Sequence, residues 1–243
     1  MKCILLAAGY ATRLYPLTEN MPKALLKLGS KTILDRVIEK INELDCVDSI
    51  YIVTNHRFAA QFSEWAKTAA TDKNVKVLDD GTTNNDNRLG AIGDINFVLE
   101  TEKLDDELLV MASDNIFDFS LCDMDKIFRD TGCDTIAAHY VGELSLLRQM
   151  GVVTLTDDGR VTGFVEKPEN PPTHWGALPF YFYKKDSVRL IKKYLDDGNN
   201  PDAPGHLVPY ICAHGDVYAY TFDTTAIDIG TPETYAEAQK LFD

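Results

Sequence analysis

Ala7-Ala8-Gly9-Tyr10-Ala11-Thr12-Arg13-Leu14-Tyr15-Pro16-Leu17-Thr18-Glu19-Asn20-Met21-Pro22-Lys23 stands near the start of the chain, directly after Cys3-Ile4-Leu5-Leu6. From Cys3 to Ala8 there is no polar residue and no alternation, which suits a strand buried on both faces of a parallel sheet. A buried helix needs a longer run than Gly9 allows. At Gly9 the backbone can turn sharply and approach a ligand closely, because no Cβ intervenes. Thr12 offers a hydroxyl and Arg13 a planar fork suited to phosphate oxygens. Pro16 and Pro22 stiffen the loop, and Lys23 adds a second cation. Backbone N–H groups in such a loop form an anion-binding concavity. A plain strand-to-loop connection with two surface cations has the same local composition. Neither GxxxxGK[ST] nor GxGxxG is present, so this is not one of the two commonest phosphate loops.

Outward from this loop, strands and helices alternate. Apolar spacing predicts a helix over 33–44, a strand over 49–54, a helix over 58–70, a strand over 75–78, a helix over 90–101 and a continuous apolar strand over 108–112. Such alternation implies an α/β fold, a Rossmann-like doubly wound and mainly parallel sheet in three α/β/α layers. Ligands in these sheets sit beyond the carboxyl ends of the strands. Gly9 and Asp114 both occupy that kind of position. The second half reads as a β-hairpin over 152–166, an aromatic strand over 180–183, a helix over 188–195, a strand over 217–222 and a closing helix over 231–242 with Pro232 at its start. A chain of 243 residues suits one domain (1–243), read in two halves of about 1–115 and about 116–243.

The formal charge is −14, which speaks against nucleic acid as a partner. It also requires any polyanion site to concentrate cations locally. No apolar stretch approaches the length of a membrane span. Met1-Lys2 leads straight into the first strand, leaving no room for a signal peptide. The five scattered cysteines, without CxxC or a Cys/His cluster, read as free thiols in a cytoplasmic protein. The scattered histidines 139, 174, 206 and 214 fit no zinc spacing.

Three further segments carry chemistry. Asp114, in Ala112-Ser113-Asp114-Asn115, can hold Mg²⁺ over a phosphate, or serve only as a turn or cap residue. Asp228, in Ile227-Asp228-Ile229-Gly230-Thr231-Pro232, is open to the same two readings. Glu166-Lys167-Pro168 closes the hairpin and is at least a charge pair at a strand end. The polar run 79–88 is a turn-rich loop, after which Gly90 and Gly93 allow a helix start to lie under a base or ribose.

Taken together, Leu6 to Lys23 resembles the signature of the sugar-1-phosphate nucleotidyltransferases, or NDP-sugar pyrophosphorylases, the family that includes the glucose-1-phosphate thymidylyltransferases. Their pattern reads L-A-G/A-G-x-G-T-R-L-x-P-L-T-x-x-x-P-K. Ala11 departs from its usual glycine. Ser113-Asp114-Asn115 is similar to the family's G-D-N, Glu166-Lys167-Pro168 to its E-K-P, Gly151-Val152 to its Y-G-V with Met150 in place of tyrosine, and 226–232 to its W-x-D-x-G-T-P with Ala226 in place of tryptophan. Pro179 stands where many members have glycine.

The resemblance implies an enzyme that joins a nucleoside triphosphate to a sugar 1-phosphate and releases pyrophosphate. It implies Arg13, Lys23 and Lys167 as the catalytic cations. It implies nucleotide contacts from Leu6, Ala8, Gly9, Tyr10, Ala11, Thr12, Arg13 and Gly90, and acceptor contacts from Gly151, Glu166 and Lys167. Asp114 and Asp228 would then hold Mg²⁺. Neither base nor sugar is readable, and a homo-oligomer is left open. The altered acceptor side keeps a cytidylyltransferase for phosphocholine or a related phospho-alcohol in play. A catalytically silent nucleotide-sugar-binding regulatory protein is the rival from another class; retention of Asp114, Asp228, Lys23 and Lys167 speaks against it.

Overall fold

In the computed structural model residues 1–224 and 226–242 are described. The chain divides into two compact units, one made of Met1–Arg88, Ala112–Leu121 and Thr224–Asp243, the other of Leu89–Met111 and Cys122–Asp223.

In the first unit the opening apolar run forms the strand Lys2–Leu6, with Cys3, Ile4 and Leu5 fully buried. It pairs in parallel with Ser49–Thr54, which pairs in parallel with Asn74–Asp79. Helices Ile33–Asn42 and Ala59–Ala66 carry the two crossovers that parallel pairing requires. The first helix buries Ile33, Leu34, Val37, Ile38 and Ile41, the expected apolar stripe. It begins in a capping box, with Thr32 Oγ1 accepting from Asp35 N–H at 3.0 Å and an Asp35 oxygen accepting from Thr32 N–H at 2.8 Å. The second helix is shorter than its pattern suggested, ending before the mostly exposed residues 67–70. A short antiparallel ladder joins Asn115–Phe117 to Ala226–Asp228. The closing helix Pro232–Gln239 starts at Pro232, as the sequence indicates, with Thr231 as its cap.

The second unit is built on Trp175–Tyr183. This strand pairs antiparallel with Leu108–Ala112, Asp134–Tyr140 and Gly151–Leu155. Asp134–Tyr140 pairs in parallel with Val217–Phe222, and the expected hairpin joins Gly151–Leu155 to Val161–Glu166. Pro179, which has no N–H to give a ladder, falls where the register shifts between Leu178 and Tyr181. Helices Ala91–Glu102, Lys185–Asp196 and Leu207–Cys212 complete this unit, with most of Leu121–Thr131. Its core holds Leu109, Val110, Met111, Phe180, Phe182 and Ile191, each with no exposed surface.

None of the five cysteines forms a disulfide among the described residues, and Cys3 lies in the core. Among the described residues no helix is long and apolar enough to cross a membrane.

Candidate active site

The glycine turn is held by its carbonyl oxygens. Leu6 O accepts from the hydroxyl and the N–H of Ser113 at 2.8 and 3.2 Å, Ala7 O from Thr54 Oγ1 at 3.3 Å, and Ala8 O from Asn55 Nδ2 at 2.9 Å. Ala11 O accepts from Thr18 Oγ1 at 2.7 Å. Ser113, Thr54, Asn55 and Thr18 are all buried. Among the described residues the N–H groups of Gly9 to Arg13 donate to no backbone or side-chain acceptor. The carbonyls of Leu6, Ala7, Ala8 and Ala11 are tied down while the N–H donors of Gly9 to Arg13 are free, the arrangement an anion needs. Ala11 adopts the left-handed conformation, φ 46° and ψ 41°. The glycine expected there would take this without strain, and alanine takes it at a cost.

Thr12 and Arg13 begin a single turn, Thr12–Leu14, and both are exposed, as is Gly9. Tyr10 is different: its ring is buried, so its place is in the core beneath the turn. Residues 15–21 then loop out, fixed from outside by Arg57, which donates to Glu19 O, and by Gln61 Nε2, which donates to Asn20 O at 3.0 Å. The chain returns at Pro22 and Lys23. A cavity of about 90 Å³ lies under the turn, lined by Gly9, Ala11, Pro22, Lys23, Ser113 and Asp114 among others.

Lys23 Nζ stands 2.5 Å from Asp114 Oδ2 and 3.8 Å from Asp228 Oδ1. Burial works against its charge, but the two carboxylates outweigh burial and hold its ammonium above the ordinary lysine value. The other oxygen of Asp114 accepts from Asn115 Nδ2 at 3.0 Å. Asp114 and Asp228 meet because Asn115 and Asp228 are partners in the short ladder and Ile229 N–H donates to Asp114 O at 3.2 Å. Asp228 is the more open of the two, with 65% of its side chain exposed.

Asp114, which lines the cavity, and Asp228, beside Lys23, are a pair of oxygen donors that fits a hard divalent cation. Mg²⁺ prefers oxygen donors and usually takes only one or two carboxylates, completing its shell with water and substrate phosphates. Among the described residues no group of three or more His, Cys, Asp or Glu side chains could hold a metal ion.

In the second unit Gly151 and Glu166 are paired across the hairpin. Gly151 leaves room for the ring of Phe164; a methyl there would stand 2.3 Å from its tip. Burial pushes the Glu166 carboxyl above its usual range; Lys167 and His206 oppose that, and Asp202 adds to it. Lys167 is exposed, has φ 45°, and donates its N–H to Met150 O at 3.1 Å, which fixes the backbone where the hairpin ends. Met150 itself packs in an apolar cluster with Val141, Leu147 and Val152. Gly90 has φ 79°, and a methyl there would stand 2.6 Å from Pro201 O. The first N–H groups of its helix, at Ala91 and Ile92, donate to Asp202 O and Pro201 O at 3.0 and 2.9 Å. Glycine at 90 therefore has a packing reason of its own.

The signature thus brings Leu6, Gly9, Ala11, Lys23 and Asp114 around one cavity, with Asp228 at Lys23. Gly151, Glu166 and Lys167 lie together on the hairpin. Sequence reading did not single out Thr18, Asn55 or Ser113 as supports of the turn. No local signal marks them: Thr18 is followed by Glu19-Asn20, Asn55 by His56-Arg57 and Ser113 by Asp114-Asn115.

Comparison with known proteins bears on the fold and the family. UDP-glucose pyrophosphorylase in complex with UDP-glucose superposes on 99% of this chain and 97% of its own, with a TM-score of 0.82 at 20% identity. That likeness carries the fold, the Rossmann-like NDP-sugar transferase type. The bifunctional protein GlmU of Methanocaldococcus jannaschii is 28% identical over 99% of this chain and 54% of its own length. The UTP–glucose-1-phosphate uridylyltransferase AglF of Haloferax volcanii is 25% identical over 99% of this chain and 96% of its own. The chain thus spans about half of the first relative and nearly all of the second. The nucleotidyl transferase family model matches residues 2–242, so all the segments singled out above fall inside one continuous match, and the chain belongs to that family.

Proposed function

We propose that the chain is an Mg²⁺-dependent enzyme that condenses a nucleoside triphosphate with a sugar 1-phosphate, giving an NDP-sugar and pyrophosphate. One observation carries this reading: the Lys23 ammonium lies between Asp114 and Asp228 at a phosphate-sized cavity under a turn with free N–H donors. The attacking phosphate monoester needs no general base, because its second pKa is about 6 and it is largely dianionic at neutral pH. The difficulty is to join two polyanions and stabilise charge in line. The turn, with Leu6, Ala8 to Thr12 and Gly90, holds the nucleotide; Arg13 and Lys23 neutralise the triphosphate. Lys167 holds the attacking phosphate, while Glu166 and Gly151 meet the sugar. Asp114 and Asp228 would hold a divalent cation, which would supply Lewis-acid stabilisation of phosphoryl charge.

The test is a grid of five nucleoside triphosphates against several sugar 1-phosphates and phosphocholine, with Mg²⁺, read as pyrophosphate. Asp114→Asn and Lys23→Ala should each lose about 100- to 1,000-fold in rate with the fold intact. Near-normal pyrophosphate release from both variants would sink the assignment. Met150, Pro179 and Ala226 favour one second reading, a CTP-dependent transfer to phosphocholine or a related phospho-alcohol, and turnover in that corner of the grid alone would establish it. No turnover anywhere would leave the binding-only reading.

A further inference from the structure

Segment 200–206 was not picked out in the sequence, yet in the second unit it touches both Gly90 and Glu166. Pro201 O and Asp202 O take the first N–H groups of the helix Ala91–Glu102. Tyr194 Oη donates to Asn200 O at 2.7 Å. At its other end Gly205 is buried under the Glu166 carboxylate. A methyl on Gly205 would stand 2.3 Å from Glu166 Oε2 and 2.7 Å from the Phe164 ring.

The side chain of Asn200 ties this segment to His206. Its Oδ1 accepts from Asp202 N–H at 2.9 Å, so the amide orientation is fixed by the backbone. Its Nδ2 therefore faces His206 Nε2, at 3.3 Å. An amide nitrogen only donates, so Nε2 must accept, and the proton of the neutral ring stands on Nδ1. The His206 ring closes a loop whose members are Asn200, Asp202, Gly205 and His206 itself.

We infer that His206 is a positioning residue for Glu166: its bond to Asn200 pins segment 200–206, and the pinned segment is the floor on which the Glu166 carboxylate rests. This rests on the reading of Glu166 as the acceptor-side carboxylate. His206 does not touch the acceptor: apart from the pull of its charged form on the Glu166 carboxyl, which His206→Ala and His206→Gln both remove, it acts through Asn200 and Gly205. A displaced floor moves the carboxylate, and a misplacement of about 1 Å at a reacting centre can cost about 100-fold. A loosened rather than displaced floor should cost less, about tenfold.

Two measurements test it. Nitrogen-15 spectra of the intact protein should show His206 as the Nδ1–H tautomer, and Asn200→Ala should return the ring to the Nε2–H form. An Nε2–H ring in the unaltered protein overturns the inference. With the substrate pair found in the grid, His206→Ala should raise KM for the acceptor about tenfold and leave KM for the nucleotide within about twofold. His206→Gln, whose carbonyl can accept from Asn200, should restore most of the loss. An unchanged acceptor KM, or equal changes in both KM values, overturns it. If no pair in the grid turns over, the reading of Glu166 falls separately. The carboxyl carbon-13 resonance of Glu166, assigned with Glu166→Gln, then decides: a shift in His206→Ala that His206→Gln reverses supports the inference, and no shift refutes it.

Discussion

Replacing Lys23 by methionine keeps the aliphatic stem and removes the ammonium shared by Asp114 and Asp228. The lysine side chain is 16% exposed and Asp114 25%, while Asp228 is 65% exposed. The cluster lies between an exposed ion pair, worth about 0.2–1 kcal/mol, and a buried one, which costs about 3–5 kcal/mol to break. The expected loss is about 1–2 kcal/mol, or about 2–8 °C in Tm for a chain of this length. Because Lys23 binds its proton more tightly when folded, its contribution is complete below the ordinary lysine value of 10.5 and fades as pH rises through the elevated folded value. The deficit should therefore be flat across neutral pH. On the proposed reading the wild-type ammonium also competes with a divalent cation for Asp114. Mg²⁺ should thus raise the Tm of Lys23→Met more than that of wild type, in melts with and without the metal, while pyrophosphate release stays down about 100- to 1,000-fold. If the variant loses turnover yet matches wild type in Tm and in its Mg²⁺ response, the shared-ammonium account is wrong.

Ala11→Gly should stabilise the protein by up to about 1 kcal/mol in denaturant unfolding, because φ 46° strains alanine more than glycine's added chain entropy costs. Gly90→Ala should destabilise it by at least about 1–3 kcal/mol, since the backbone is left-handed there and Pro201 O occupies the methyl's place. Glu166→Gln should remove a pH dependence. The wild-type carboxyl is harder to ionise folded than unfolded, so the variant gains relative stability as pH rises from the ordinary carboxyl value through the elevated folded one, and gains nothing below it. Chemical denaturation at a series of pH values would show that gap opening, and a constant gap would refute it.

The elements carrying long periodic or continuous apolar patterns were legible. Strands at 49–54, 108–112 and 217–222 stand where the sequence put them. So does the stripe of the first helix. What escaped was short or non-local. The strands Asn115–Phe117 and Ala226–Asp228 are too brief for a period to register, and their pairing joins remote segments. Asp134–Tyr140 opens on a buried carboxylate that accepts from Lys184 N–H and the Ser187 hydroxyl, at 2.6 and 2.5 Å, which hides it as a strand start. Segment 200–206 has the composition of a plain turn, and its importance arises only from what it touches. The site shows the same division. Lys23, Asp114 and Asp228, which the structure brings together, were singled out by resemblance, whereas Thr18, Asn55 and Ser113 act through backbone carbonyls that no local pattern reveals.

The ladder between Asn115–Phe117 and Ala226–Asp228 also bears on how the molecule is made. Lys2–Leu6, Ser49–Thr54 and Asn74–Asp79 can pair while the chain is still being synthesised, since all three come early. Asp114 is then translated long before its partner strand exists. Until residues 226–229 emerge, nothing accepts the backbone pairing that sets Asp114 beside Asp228. The pairing that sets Asp114 beside Asp228 is therefore completed late in synthesis, after the three parallel strands of the first unit can already have formed.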